Sequence, residues 1–201
     1  MIDFKRKIIF IHPVKTGGSS IEAALLHSSL GLHEYNGQRK ENIKKYNLKK
    51  HFPPNGNPHE NYKETIKGGD FTNFTFFTIA RNPWDRFASM YRYHKKLGLA
   101  KGSFKDYVNT KGFLFFKDTF KNMIGEDIDK FIVLRQESLQ DDFSKMLINL
   151  GLEDVKLPVV NVTSDKNNEE KYRGLLYSYP ELIERIRKES EIEINMFNYK
   201  Y

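Results

Sequence analysis

Residues 7–20 of the chain read Lys-Ile-Ile-Phe-Ile-His-Pro-Val-Lys-Thr-Gly-Gly-Ser-Ser, an apolar run that enters a small polar turn. A helical pattern follows from Ser19 to Leu30, so the segment predicts a buried strand, a turn and a helix in that order. Such a turn presents backbone N–H groups at the start of the helix to an anion. Lys15 adds a fixed positive charge there. The segment therefore predicts a site for a phosphate or a chemically similar group.

A second strand-to-helix turn carries its own basic residue. Residues 75–80 predict a buried strand that leads into Arg81. Asn82 as the N-cap, Pro83 at the first helical position and Asp85 three residues after the cap indicate a strong helix start. In an open parallel sheet both turns lie at the carboxyl ends of strands, where ligands bind. Two basic turns indicate a ligand with two anionic groups.

The rest of the chain alternates in the same way. The first strand is predicted over residues 4–12, and residues 130–134 predict a third strand. Helix signals include a capping box of Ser19 and Glu22 with a stop at Gly31, a cap of Ser103 and Asp106, a helix from Ser138 and Asp141 to Gly151, and a last helix from Pro180 to Ser190. This alternation predicts an α/β fold in which a central, mainly parallel sheet is flanked by helices.

Length and composition set the class of protein. The chain has 201 residues and no cysteine, so we expect one domain over residues 1–201 without disulfides or thiolate metal sites. No apolar run reaches the ~20 residues that span a bilayer, and the start lacks the apolar core of a signal peptide. We therefore expect a cytoplasmic protein without a transmembrane segment. The net charge of +7 favours anionic ligands. Residues 33–70 are polar and predict a long, loop-rich insertion.

The two turns resemble motifs of a known family. Residues 12–21 resemble the 5′-phosphosulfate loop of sulfotransferases that use 3′-phosphoadenosine 5′-phosphosulfate (PAPS), and residues 79–91 resemble their 3′-phosphate motif. The form is that of carbohydrate sulfotransferases such as the heparan and chondroitin enzymes. Further similarity lies in residues 134–143, 150–152, 157–163 and 172–199. One departure is that the family usually places proline directly before the lysine, whereas here Val14 stands there and Pro13 comes one position earlier.

The resemblance implies a P-loop-like three-layer fold and a set of ligand contacts. Lys15 would neutralise charge on the leaving 5′-phosphate, and Arg81 with Ser89 would hold the 3′-phosphate. The cofactor-binding residues so implied are Lys15, Thr16, Gly17, Gly18, Ser19, Ser20, Arg81, Ser89, Lys171, Tyr172 and Arg173. PAPS is then the co-substrate and 3′,5′-ADP the product. No metal is expected, because the lysine and the amides supply the positive field.

The acceptor hydroxyl needs a general base between the two motifs. His51 is the first choice, because the pair Lys50-His51 resembles a Lys-His of several carbohydrate sulfotransferases. His59, Glu60 and Asp70 lie in the same segment and are rivals. The insertion over residues 33–70 is expected to shape the acceptor site. The acceptor class stays open between a glycan, a lipid-linked sugar, a small alcohol and a tyrosine, with a carbohydrate favoured by the resemblance.

Two other classes of protein share parts of this pattern. A nucleotide kinase or NTPase uses the same strand-loop-helix chemistry, but its lysine follows the glycines of the loop, whereas Lys15 precedes both Gly17 and Gly18. A nucleic-acid-binding module would explain the net charge, but the chain has no recognition motif and its basic residues are scattered. We therefore expect no nucleic-acid partner. The sequence does not determine the oligomeric state.

Overall fold

The computed structural model describes residues 1–30, 59–152, 157–158 and 166–201. The chain divides into two compact units. The first comprises Met1–Ala80 with Asp127–Val162, and the second comprises Arg81–Glu126 with Thr163–Tyr201. One domain over residues 1–201 stays a prediction. Most of the insertion over residues 33–70 lies outside the described residues.

A four-stranded sheet forms the centre of the first unit. Its strands in spatial order are β1 (Ile2–Asp3), β2 (Ile8–Ile11), β3 (Thr75–Ala80) and β4 (Phe131–Arg135). β1 is antiparallel to β2, whereas β2, β3 and β4 are parallel. The register pairs Ile11 with Thr78 and Ile79 with Leu134. The carboxyl ends of the three parallel strands therefore lie at the same edge of the sheet.

The first predicted strand is shorter than expected, because residues 4–7 form the turn of a hairpin between β1 and β2. The Asp3 carboxylate accepts hydrogen bonds from the backbone N–H groups of Lys5 and Arg6, both at 3.0 Å. It also binds the Arg6 guanidinium at 3.1 Å. Lys7 leaves the turn with a φ of 55°. The single strand predicted over residues 4–12 was therefore wrong in its first half, because the Asp3 side chain turns the chain back.

Among the described residues, the first unit contains the helices α1 (Gly18–Leu30), α2 (Tyr62–Thr65) and α7 (Leu139–Asn149). Alternate strand residues such as Phe10, Phe77 and Leu134 share one core cluster with α1 and α7, so both helices cover the same face. On the other face, Tyr62 makes edge contacts with Phe76 and Phe131 at centroid distances of 5.3 and 5.2 Å.

The predicted caps of two helices in the first unit were wrong, although both helices begin within one residue of the predicted start. Helix α1 begins at Gly18, and the Glu22 carboxylate binds His12 at 3.0 Å. No side-chain cap bond is made by Ser138 at the start of α7. There the acidic side chain of Asp142 accepts from the backbone N–H of Arg135 at 2.9 Å. Gly151 ends α7 with a φ of 67°, as predicted, while Gly31 lies outside the described residues.

The second unit is helical throughout its described residues. Its helices are α3 (Pro83–Lys96), α4 (Phe104–Thr110), α5 (Phe113–Lys117), α6 (Phe120–Met123), α8 (Lys166–Gly174), α9 (Pro180–Glu189) and α10 (Glu191–Phe197). A short 3-10 turn occupies Leu175–Ser178 in this unit, another over Gly125–Lys130 spans the division between the units along the chain, and a third over Gln136–Ser138 belongs to the first unit. The predicted caps of α3 by Asn82 and of α4 by Ser103 and Asp106 are confirmed.

An aromatic core holds the second unit together. Trp84 and Phe87 are fully buried, and Tyr91 packs on Phe104 with ring centroids 4.9 Å apart. The helical spacing of these residues therefore reflects packing in the core of this unit.

The α/β class with a mainly parallel sheet flanked by helices is confirmed. Within the described ranges, none of the helices combines the length and apolar character needed to cross a bilayer.

Candidate active site

The loop between β2 and α1 has the backbone geometry of an anion-binding turn. Lys15 adopts a left-handed φ of 65°, and Gly17 follows with a φ of 87°. Left-handed residues in such a turn aim successive N–H groups into one concavity, where they bind anions. The buried Thr16 hydroxyl donates to the Pro13 carbonyl at 2.8 Å. The loop therefore fixes its own shape before any ligand binds.

Helix α1 begins inside this loop. Gly18 is its first residue, and Ser19 and Ser20 are half-buried in the first turn. The first N–H groups of a helix have no partner within the helix and carry the positive end of its dipole. Lys15, also half-buried, adds a full charge beside them. The site predicted over residues 15–20 is thus brought together as one cationic turn.

A buried histidine–glutamate pair lies beside this loop, and sequence reasoning missed it. His12 Nδ1 lies 3.0 Å from Glu22 Oε1, and both side chains are almost completely buried. A Cβ atom on Gly18 would overlap the His12 imidazole, so only glycine fits where α1 begins. The signal in the sequence was a histidine directly after the strand and an acid one turn into the following helix.

His59 lies against the same histidine. Its Nδ1 is 2.7 Å from the backbone carbonyl oxygen of His12, and the two rings meet edge to face at 4.6 Å. Because a carbonyl oxygen only accepts, Nδ1 of His59 carries the hydrogen. A neutral His59 therefore has its lone pair on Nε2, which is the form that a general base requires.

The other candidate bases differ in their surroundings. Glu60 has a buried Oε2 that makes no hydrogen bond in the described part of the chain. Asp70 is exposed and accepts two hydrogen bonds from Thr72, which lower the pKa of its carboxyl. Asp70 precedes the amino end of β3, so it lies at the sheet edge opposite to the Lys15 loop. His51 lies outside the described residues.

The second basic turn opens α3. Asn82 Oδ1 accepts from the backbone N–H groups of Trp84 and Asp85 at 3.1 and 3.4 Å. Its side-chain amide donates to the Lys200 carbonyl at 2.8 Å. Arg81 directly before it is 8 % exposed, and Ser89, two turns into the helix, is 3 % exposed. The turn that carries Arg81 is therefore rigidly capped.

The late basic segment lies on α8 and is engaged within the second unit. Arg173 donates to Asp85 at 2.9 Å and to the Lys200 carbonyl at 3.0 Å. The Tyr172 ring packs on Tyr91 at 5.5 Å, and Lys171 is exposed. Arg173 and Tyr172 therefore tie α8 to α3.

The comparison with known families supports this chemistry. A model of the Sulfotransferase family matches residues 1–123, which is more than half of the chain. The chain therefore belongs to the sulfotransferase family, and the resemblance stated from the sequence is confirmed. Comparison with curated proteins and with solved structures gives no match.

Membership defines the class of activity. The protein is a transferase that moves a sulfuryl group to an acceptor. The matched range contains the Lys15 loop, His59, Arg81 and Ser89, whereas Lys171, Tyr172 and Arg173 lie beyond it.

Proposed function

We propose that the chain transfers the sulfuryl group of PAPS to a hydroxyl group of a carbohydrate. The observation that carries this proposal is the cationic turn of residues 15–20, with its left-handed Lys15 at the start of α1. That turn suits the 5′-phosphosulfate, with the amides of Thr16, Gly17, Gly18 and Ser19 assigned to its oxygens. The Ser20 N–H already donates to the Gly17 carbonyl at 3.1 Å, so Ser20 is assigned through its hydroxyl. Arg81, whose planar fork matches a phosphate, is assigned with Ser89 to the 3′-phosphate.

The chemistry asks for charge stabilisation and alignment. A bond forms between sulfur and the acceptor oxygen while the bond from sulfur to the bridging oxygen breaks. The electron pair stays on the 5′-phosphate of 3′,5′-ADP, and the hydroxyl proton goes to a base. Lys15 and the loop amides lie where that negative charge grows, so they stabilise the transition state more than the ground state.

For the base, the described geometry favours His59. Its Nδ1 donates to the His12 carbonyl, so the lone pair of the neutral ring lies on Nε2. His51, the first choice from the sequence, remains the other candidate. Lys171, Tyr172 and Arg173 stay sequence-based predictions as nucleotide contacts, and Arg173 also forms an ion pair with Asp85 at 2.9 Å. The cytoplasmic location also stays a prediction.

Binding of the nucleotide product tests the donor. We expect 3′,5′-ADP to raise the melting temperature in the presence of EDTA, because a ligand at a hundred times its Kd adds about 2.7 kcal/mol. Lys15→Ala should reduce this shift only in part, whereas Arg81→Ala should remove most of it. Lys5→Ala, an exposed lysine of the β1–β2 turn, is the matched control. A shift with Mg-ATP and none with 3′,5′-ADP would move the chain to the kinase class.

Two histidine variants test the base. His59→Ala should bind 3′,5′-ADP normally but transfer sulfate at least ~100-fold more slowly, the usual scale of base catalysis. His94→Ala is the control, because His94 contacts the Tyr107 hydroxyl within the second unit. Labelled PAPS and a panel of sugars, glycans and phenols first identify an acceptor. If His51→Ala loses the rate and His59→Ala keeps it, the role belongs to His51.

A further inference from the structure

The buried pair of His12 and Glu22 has no assigned role in the transfer reaction. His12 is 5 % exposed and Glu22 is 3 % exposed. Burying a carboxylate is costly even when it is paired, and apolar residues of similar volume often fill such a space as well or better. Packing alone therefore does not account for this pair beside the anion-binding loop.

The imidazole of His12 is fixed on three sides. A carboxylate oxygen accepts, so His12 Nδ1 donates to Glu22 Oε1. The opposite edge of the ring, with Nε2 and Cδ2, lies against Gly18 at the start of α1. The ring face stacks on Phe10 at a centroid distance of 5.2 Å and an angle of 20°. Glu22 therefore sets the orientation of a ring on which the loop rests.

His59 depends on the same residue. Its Nδ1 is bound to the His12 carbonyl oxygen at 2.7 Å, and its ring contacts the His12 ring at 4.6 Å. A rotation of the His12 imidazole would remove one wall of the His59 site and loosen the backbone whose carbonyl accepts the hydrogen bond from His59 Nδ1. The tautomer and position of His59 are thus linked to Glu22 through one intermediate side chain.

We propose that Glu22 and His12 are positioning residues, which hold His59 in its Nδ1–H tautomer and hold the start of α1 in the shape that receives the sulfate donor. The expected effect on catalysis rests on the proposed function, whereas the expected effect on the His59 tautomer does not. Neither residue contacts the reacting atoms in this assignment. In this proposal the length of the Glu22 side chain, which lets its oxygen accept from His12, matters more than its charge.

Two conservative variants of Glu22 distinguish the effect of side-chain length from the effect of charge. Glu22→Gln keeps the length and the accepting oxygen but loses the charge. Glu22→Asp keeps the charge but is one methylene too short for the 3.0 Å contact with His12. We expect Glu22→Gln to stay close to the unaltered protein and Glu22→Asp to be impaired. Glu64→Gln, an exposed carboxylate of α2, is the matched control.

The first measurement is the tautomer of His59, read from the ¹⁵N shifts of the imidazoles in the full chain. The His59 signal is assigned by its loss in His59→Asn. We expect the Nδ1–H form in the unaltered protein and in Glu22→Gln, and a mixture with the Nε2–H form in Glu22→Asp. An unchanged tautomer in Glu22→Asp, or a change in Glu22→Gln alone, overturns the proposal.

The second measurement is the single-turnover rate with PAPS, beside the affinity for 3′,5′-ADP. Glu22→Asp should lose at least ~10-fold in rate with an affinity within about twofold, since positioning of the base acts on the chemical step. An equal loss in both variants, matched by a loss of melting temperature, indicates a structural role and contradicts the proposal. If no acceptor is ever sulfated, the proposed function fails, and the tautomer measurement still decides this inference.

Discussion

Lys15 combines a functional charge with a strained backbone. A left-handed φ in a long side-chain residue costs on the order of 1 kcal/mol, and such residues persist where the surrounding structure fixes them. Here the Thr16 hydroxyl and the glycine at position 17 fix the turn on the side of the helix. The left-handed conformation turns the N–H groups that follow Lys15 toward the same side of the loop.

Replacement of Lys15 and replacement of Arg81 should affect different steps, the first the transfer rate and the second nucleotide binding. Lys15→Ala should lower the single-turnover rate more than nucleotide affinity, because charge develops beside it only in the transition state. Arg81→Ala should lower nucleotide affinity more than the rate at saturation, because the 3′-phosphate is remote from the transferred group. Isothermal titration with 3′,5′-ADP and rapid-quench kinetics with labelled PAPS measure both quantities.

The comparison of those two variants has its own control. Lys5→Ala removes an exposed lysine from the first unit and should leave both quantities within about twofold. A Lys15→Ala variant that loses affinity and keeps its saturated rate would show that Lys15 binds the nucleotide without acting on the transfer.

Single residues also mark how far the sequence predicts the site. The glycines and Lys15 were identifiable, because an apolar run followed by a small polar turn has few other structural meanings. Glu22 was wrongly assigned to a cap with Ser19, since spacing along a helix does not show that the side chain turns toward His12. That contact joins residues ten positions apart and depends on the path of the loop between them.

At the scale of secondary-structure elements, the predictions were correct where the residues that determine an element lie close together in the sequence. The start of α3 follows directly from Asn82 and Pro83, whose cap bonds are formed within one turn. The limits of β3 were also predicted correctly, since four of its six residues are apolar and the other two are threonines, which favour strands.

Elements were mispredicted where a side chain redirected the backbone. Residues 4–7 have strand-like neighbours, but the Asp3 carboxylate accepts two successive backbone N–H groups and closes a turn. At α7 the acidic residue that binds backbone is Asp142, which reaches back to the N–H of Arg135 in β4. Side-chain to backbone bonds of this kind compete with regular structure and leave little trace in hydrophobic periodicity.

At the scale of the whole molecule, each unit is assembled from two separate stretches of chain. The second unit buries a charged pair that the sequence did not indicate. Arg86 is 2 % exposed and donates to the Asp118 carbonyl at 3.0 Å, and Glu193 is 1 % exposed and accepts from the Phe120 N–H at 3.3 Å. Burial lowers the pKa of Arg86 and raises the pKa of Glu193, while the charge of each opposes the shift of the other.

This pair predicts a strong and non-additive effect on stability. Arg86→Met leaves Glu193 buried without a counter-charge and should lower the free energy of unfolding by about 3–5 kcal/mol at pH 7. Adding Glu193→Gln removes the stranded charge, so the double variant should be destabilised by less than the sum of the single variants. Urea denaturation of the four proteins measures the coupling, and purely additive losses would contradict it.

The pH dependence of Arg86→Met gives an independent check. Burial already raises the folded-state pKa of Glu193 above its ordinary value, and removal of Arg86 raises it further. A group whose pKa is higher in the folded state stabilises the protein below its unfolded pKa and loses that contribution as the pH rises through the folded pKa. Arg86→Met should therefore recover part of its lost stability, relative to the unaltered protein, when urea denaturation is repeated at pH 5. A deficit that is equal at pH 5 and pH 7 would mean that Glu193 carries the same charge in the folded variant and in the folded unaltered protein over this range, and that the loss comes from the missing Arg86 contacts with Asp118 and Phe115.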